Sequence, residues 1–346
     1  MKLTTAIRAL HPRAVFRISR GARAEVRNVF VQVEQDGIVG HGEASPNAFY
    51  GETPEDVNSK LLRAADWLRG REMREVKEIE QTWREAWPLL EPSRGAQCAL
   101  DLALWDWAAK RRRITVCELA LGEKPRPVAS FATIGISTRE ELEEKIEELK
   151  TFPFIKIKMD ATADIEAVRR IRARTSARLA VDANAAWGGL NVLTLARELA
   201  EIGIEFIEQP LPPSEDDCMP QLQAESPIPF LSDESCVATG DVARMAGRFW
   251  GFNIKLVKCG GLTPALEMLR LGREHGLRTM AGCMLESSAL IAAGAVVAQR
   301  TEFADLDGAW LIGDDPFEGW IFSQGRLTAG DGDGLGCAPV DGLFAG

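Results

Sequence analysis

The sequence predicts an α/β protein: a (β/α)₈-type, modified TIM barrel carrying an α+β capping domain. Three observations lead there. Residues 1–119 read as antiparallel sheet followed by helices, residues 120–324 repeat a short apolar run and then a polar helical stretch, and those runs number eight. Eight parallel strands with helical crossovers close into a barrel whose active site lies at the strands' carboxyl ends. The last residues, 325–346, are expected to complete the capping domain. A chain of 346 residues, 46% of them hydrophobic, is long enough for such a core.

From Val29 to Gly42, VFVQVEQDGIVGHG alternates apolar and polar residues around an Asp36-Gly37 turn signal, which is the pattern of a β-hairpin. Between Pro54 and Arg113 the spacing becomes helical, as in CALDLALWDWAAK. After Leu119 the strand runs are VASFATIGI, FIKIKM, RLAVDAN, EFIEQP, PFLSDES, FNIKLVK, RTMAGCMLES and FADLDGAW. Lys158 to Asp182 is 24 positions, Asp182 to Glu208 is 26, Glu208 to Asp233 is 25 and Asp233 to Lys255 is 22. Each step is one βα unit, so five charged side chains from consecutive strands meet at one rim.

Composition excludes several classes. A net charge of -10 argues against a nucleic-acid binder, which needs a basic face. Seven cysteines without C-x-x-C spacing suggest neither a zinc site nor a disulfide framework, and fit reduced thiols in a cytoplasm. The longest apolar run, Ala289 to Ala298, is too short to span a bilayer, so no membrane partner is expected; a homo-oligomer is allowed. His11, His41 and His275 stand apart from one another, and Gly330 to Gly336 (GDGDGLG) lacks the glutamate of a calcium loop.

Asp182, Glu208 and Asp233 would gather three carboxylates whose repulsion calls for a cation or protons. Hard oxygen ligands in this number suit Mg²⁺. Each acid taken singly also suits capping of the following helix; three at barrel period, between two lysines, favour the metal. Lys156 and Lys158, two apart on a strand, point to the same side, and repulsion from Lys156 is expected to lower the pKa of Lys158 toward that of a general base. Lys255 lies on the far side of the acids. Two such bases could remove and return the proton beside a substrate carboxylate, with Mg²⁺ stabilising the enediolate between the two transfers.

In this order K-x-K, V-D-A-N, E-Q-P, D-E-S and N-I-K-x-x-K-x-G-G resemble the muconate-lactonising subgroup of the enolase superfamily, over nearly the whole chain. The resemblance implies Mg²⁺ on Asp182, Glu208 and Asp233, bases Lys158 and Lys255, and supporting roles for Lys156, Lys258 and Asn184. That subgroup includes cycloisomerases, o-succinylbenzoate synthases, N-succinylamino acid racemases and dipeptide epimerases, which share this chemistry. Asp305-Leu306-Asp307 separates them: alternation puts both carboxylates on one face, and the D-x-D resembles the motif by which dipeptide epimerases hold a free α-ammonium.

Arg20-Gly21-Ala22-Arg23 falls where the family has a capping loop, and Arg23 matches the arginine that pairs with a substrate side-chain carboxylate in Ala-Glu epimerases. Thr133 joins the expected substrate-binding residues. Asn47 to Thr53, with the only tyrosine, Tyr50, resembles a second capping loop, and Cys283 stands where relatives often have serine. The expected activity is epimerisation of L-Ala-D/L-Glu or a similar dipeptide, in the setting of cell-wall peptide recycling. The rivals are an N-succinylamino acid racemase or o-succinylbenzoate synthase, and a non-catalytic binding barrel.

Overall fold

The computed structural model describes residues 1–344; the last two positions of the expected 325–346 tail lie outside them. The cap opens with β1 (Lys2–Leu10), a small hairpin of β2 (Phe16–Ile18) and β3 (Gly21–Arg23), then β4 (Val26–Gln35) and β5 (Ile38–Ala44). Strands β1, β4 and β5 form an antiparallel sheet. Gln35 faces Ile38 across the β4–β5 turn, with Asp36 and Gly37 both at positive φ, as the Asp-Gly signal predicts.

The helical stretch resolves into α1 (Pro54–Leu68), α2 (Lys77–Leu90) and α3 (Arg94–Arg112), followed by α4 (Val116–Leu121), which runs two residues past the expected boundary at 119. Helix α3 is buried from Gly95 to Ala109. It can sit so close to β5 because Gly40 and Gly42 carry no side chain there; a Cβ on either would enter the α3 backbone.

Short β6 (Val128–Ala129) leads into the barrel: β7 (Ala132–Ile134), β8 (Phe154–Lys158), β9 (Arg178–Asp182), β10 (Ile204–Glu208), β11 (Phe230–Ser232), β12 (Gly251–Lys255), β13 (Arg278–Gly282) and β14 (Phe303–Asp305). These are the eight predicted runs, parallel and in sequential order. The crossovers are α5 (Arg139–Leu149), α6 (Ile165–Arg174), α7 (Val192–Ile202), α8 (Met219–Glu225), α9 (Val242–Met245), α10 (Leu256–Cys259), α11 (Leu262–Glu274) and α12 (Ser288–Ala298). The seam between β14 and β7 is stitched by Phe131 N–H donating to the Ala304 carbonyl at 2.8 Å and Leu306 N–H donating to Ser130 Oγ at 2.8 Å. Phe131, Phe206, Leu231 and Met280 form an apolar floor inside the barrel, so polar chemistry is confined to its mouth.

The tail divides its contacts. Arg326–Thr328 pairs with β6 beside the barrel, while Leu335 N–H donates to Asp106 of α3 and Leu343 packs with Leu10 and Phe30 of the cap.

Cap and barrel are joined by carboxylates placed on helix starts. Gly261 precedes α11 and has no capping side chain; Asp101 of α3 takes that role, accepting from Thr263 N–H at 3.0 Å and Thr263 Oγ at 2.5 Å. Gly261 has φ 126°, and a Cβ there would enter the Asp101 side chain, which accounts physically for the glycine pair after Lys258. Glu43 of β5 accepts from Ser287 N–H at 3.1 Å and Ser287 Oγ at 2.5 Å, at the start of α12. Burial pushes both Asp101 and Glu43 up to about 7. Asp101→Ala is expected to lower stability by about 1–2 kcal/mol, the usual worth of a helix cap, read as a lower urea midpoint at unchanged slope.

Candidate active site

The barrel register sets five charges in a row. Lys158 pairs in register with Asp182, and Asp182 with Glu208, on β8, β9 and β10; Asp233 lies just past β11, and Lys255 ends β12. β8 and β12 are separated by three strands in either direction around the eight, so Lys158 and Lys255 approach from opposite walls. Both line a cavity of about 90 Å³ at the barrel mouth, which Asp305, Asp307, Thr133 and Arg23 also line. Phe16 and Ile18 of the lid hairpin and Leu285 supply its apolar wall.

Each acid is turned toward a lysine. Lys158 Nζ donates to Asp182 at 2.5 Å, Lys156 Nζ to Glu208 at 3.0 Å and Lys255 Nζ to Asp233 at 2.8 Å. Accordingly, no three His, Cys, Asp or Glu side chains among the described residues group as a metal cluster. Lys156 is fully buried and also donates to Asp305, so it links the acid trio to the D-x-D pair. Burial works against its charge, but Asp305, Glu208 and Asp182 outweigh that and hold Lys156 well above the usual lysine range. Burial likewise opposes the charges of Asp233 and Lys255, yet their pairing holds Asp233 far below the carboxylate range and Lys255 well above the lysine range. Glu208 differs: burial and the nearby charge of Asp182 push it up to about 7.

The two lysines of the N-I-K-x-x-K motif have distinct surroundings. Lys255 faces the cavity. Lys258 points away from it and donates to Asp233 Oδ1 at 2.6 Å and to the carbonyls of Asp233, Cys236 and Asn253 at 2.6, 3.1 and 3.2 Å. Asn184 lines the cavity, and its backbone N–H donates to Asp182 at 2.8 Å. Asp307 accepts from Thr133 N–H at 2.6 Å, across the barrel seam, and is pushed up to about 7 by burial and then by Asp305. One oxygen of Asp305 is buried without a partner. Arg23 makes no ion pair among the described residues.

The contacts of four residues near the site are not announced by the sequence. Asn253 donates to Glu208 at 2.7 Å; it stands two before Lys255, so the alternation that paired Lys156 with Lys158 was its available signal. Gln209 adopts a positive φ of 34° and accepts from the backbone of Asp233 at 2.8 Å, bracing one acid-bearing loop against the next. Arg20 Nη1 donates to Glu234 at 2.6 Å, a contact between a lid and a barrel loop that no local pattern announces.

Residues 137–341 match the enolase C-terminal domain-like family, and residues 2–122 match the mandelate racemase / muconate lactonizing enzyme, N-terminal domain. The chain is 33% identical over 336 residues to an L-Ala-D/L-amino acid epimerase of Flavobacterium johnsoniae, covering 97% of this chain and 99% of the relative. A dipeptide epimerase of Methylococcus capsulatus, solved with Mg and L-Arg-D-Lys, superposes with a TM-score of 0.88 at 32% identity, covering 97% of this chain and 99% of that one. An enolase family member of Agrobacterium tumefaciens with homology to dipeptide epimerases, solved with sodium and L-Ala-L-Glu, gives 0.85 at 32% identity, covering 95% and 98%. Lysines on opposed strands, the acid trio between them and these matches together establish the family: the chain is an isomerase belonging to the mandelate racemase / muconate lactonizing enzyme family of the enolase superfamily.

Proposed function

We propose that the protein is a Mg²⁺-dependent dipeptide epimerase, inverting the α-carbon of the carboxy-terminal residue by a two-base 1,1-proton transfer. The observation that carries this reading is the pair of lysines on opposite walls of one cavity, which also holds Asp305 and Asp307. The names of the similar proteins support the substrate class.

Asp182, Glu208 and Asp233 suit a divalent cation: they are buried oxygen donors from adjacent strands, close enough that the charges of Asp182 and Asp233 raise Glu208. When bound, Mg²⁺ would supply Lewis-acid polarisation of the substrate carboxylate and neutralise the acids that otherwise hold Lys255 protonated. Lys158 Nζ takes the α-proton from one face and Lys255 Nζ delivers a proton to the other; exchanging these roles runs the reaction in reverse. Lys258, with every donor engaged, holds the Asp233 loop in place. Asp305 and Asp307 receive the substrate ammonium, with Thr133 fixing the Asp307 carboxylate. Arg23, a cation at the mouth with no ion pair among the described residues, suits a glutamate side chain at the second position, which makes L-Ala-L-Glu the favoured substrate and cytoplasmic peptide recycling the fitting setting.

The deciding experiment is proton NMR in D₂O with Mg²⁺ and a panel of L,L-dipeptides. L-Ala-L-Glu is expected to exchange its carboxy-terminal α-proton and to yield a second diastereomer; turnover of a succinylated amino acid without any dipeptide exchange would overturn the substrate class. Lys158→Ala and Lys255→Ala should each reduce epimerisation by about 10²–10⁴-fold, and near-full activity in either variant would exclude the two-base assignment.

The D-x-D pair gives a pH test. Burial and then Asp305 push Asp307 up to about 7, so Asp307 gains its negative charge as pH rises through that value, and ammonium binding strengthens in the same direction. Above the α-amino range of about 7.7–8.0 the substrate loses its charge. A rising limb in kcat/KM near pH 7 and a fall above 8 are therefore expected, with the rising limb lost in Asp307→Asn; an unaltered profile in that variant would remove Asp307 from the binding site. Arg23→Met should lower kcat/KM for L-Ala-L-Glu by about tenfold, the worth of one charge-assisted contact, and leave L-Ala-L-Leu little changed.

A further inference from the structure

Of the three arginines of the lid hairpin, Arg20 and Arg23 have unlike surroundings. Arg23 is exposed and makes no ion pair among the described residues, whereas Arg20 reaches out of the β2–β3 turn into the barrel. Arg20 Nη1 donates to Glu234 Oε1 at 2.6 Å and to the Asn184 carbonyl at 3.1 Å, and its guanidinium lies 4.5 Å from the ring centre of Phe49. One side chain thus touches the loop after β9, the loop after β11 and the second lid segment, Ala48–Tyr50.

The partner gives this contact its strength. The Glu234 side chain is 0% exposed, its other oxygen meets no partner, and Arg20 is its only hydrogen-bond donor among the described residues. An ion pair with one fully buried member is costly to break, because the remaining carboxylate is left uncompensated beside Asp233. The hairpin's other ionic anchor, Arg17 to Glu141 at 3.0 Å, joins side chains 37% and 42% exposed and is screened by solvent. The hairpin itself has three residues in each strand, too little to hold a fixed pose unaided.

We infer that Arg20 is the latch that holds both lid segments on the barrel, with Glu234 as its catch, and that it is thereby a positioning residue for the reaction. Closing Phe16, Ile18 and Arg23 over the cavity depends on it, and its catalytic consequence rests on the epimerase reading above. Opening the latch unseats the hairpin and the Phe49 turn together, since both lean on the same guanidinium.

The test compares wild type with Arg20→Met, Arg20→Lys, Glu234→Gln and the double variant Arg20→Met/Glu234→Gln. Amide hydrogen exchange of residues 16–23 and 47–51 is followed in the substrate-free protein, beside kcat and KM for the dipeptide that wild type turns over best. Arg20→Met is expected to speed exchange in both segments by about tenfold while barrel amides keep their protection. KM should rise by about tenfold with a smaller change in kcat, as for a lid that orders around substrate. The double variant should lose no more than Arg20→Met alone, and Arg20→Lys should recover part of the loss. Unchanged protection in both segments in Arg20→Met, or additive losses in the double variant, would overturn the latch. Absence of dipeptide turnover in wild type defeats the epimerase reading alone, because the exchange data decide the latch without it.

Discussion

The structure depends on keeping several like charges buried at the barrel mouth without letting them repel one another apart. Lys156 is the pivot of that arrangement. It is inaccessible to water, donates to Glu208 and Asp305, and lies 3.6 Å from Asp182, so one ammonium compensates acids from β9, β10 and β14. An isolated charge in that place would be expelled or neutralised. Four lysines set against the acids compensate their charges, and a buried apolar floor lies beneath the cluster.

Such a cluster requires a cover, and the cap is fastened by the same electrostatic logic. Asp101 and Glu43 leave the cap to end on the starts of α11 and α12, where free N–H groups and the helix dipole favour a carboxylate. Burial nevertheless pushes both acids up to about 7 against the hydrogen bonds they accept, so the charge assistance of these hydrogen bonds is lost as pH falls below that value. The cap's body is thus joined to the barrel through buried contacts, whereas the hairpin and Asn47 line the cavity mouth.

Legibility in the sequence follows from how local each signal is. The eight strands and the Asp36-Gly37 turn were readable because apolar runs and turn residues act within a few positions. Lys158, Asp182, Glu208, Asp233 and Lys255 were readable because one βα unit has a nearly constant length, which turns sequence spacing into spatial adjacency. Asn253 stands two positions before Lys255, on the same face of β12. The tasks of Gln209, Arg20 and Glu234 were hidden, since each is defined by a contact between loops whose approach only the closed barrel and docked cap determine. The pairing of Arg326–Thr328 with β6 was hidden for the same reason: the tail was expected on the cap, and only its final part lies there.

The D-x-D motif shows how far a sequence pattern can understate the surroundings of its residues. Alternation made Asp305 and Asp307 look equivalent, but they belong to different networks. Asp305 shares Lys156 with Glu208, so its charge is tied to the acid trio, and only its unpartnered oxygen is left for a ligand. Asp307 is held by the Thr133 amide across the β14–β7 seam and faces the cavity without a direct bond to the trio. Removing the charge of Asp305 would therefore alter the surroundings of Lys156 and Glu208 together with any ammonium site. Removing that of Asp307 would disturb the cavity wall and one seam contact while leaving the Lys156 network intact, so under the proposed function Asp307 is the residue through which substrate binding can be separated from proton transfer.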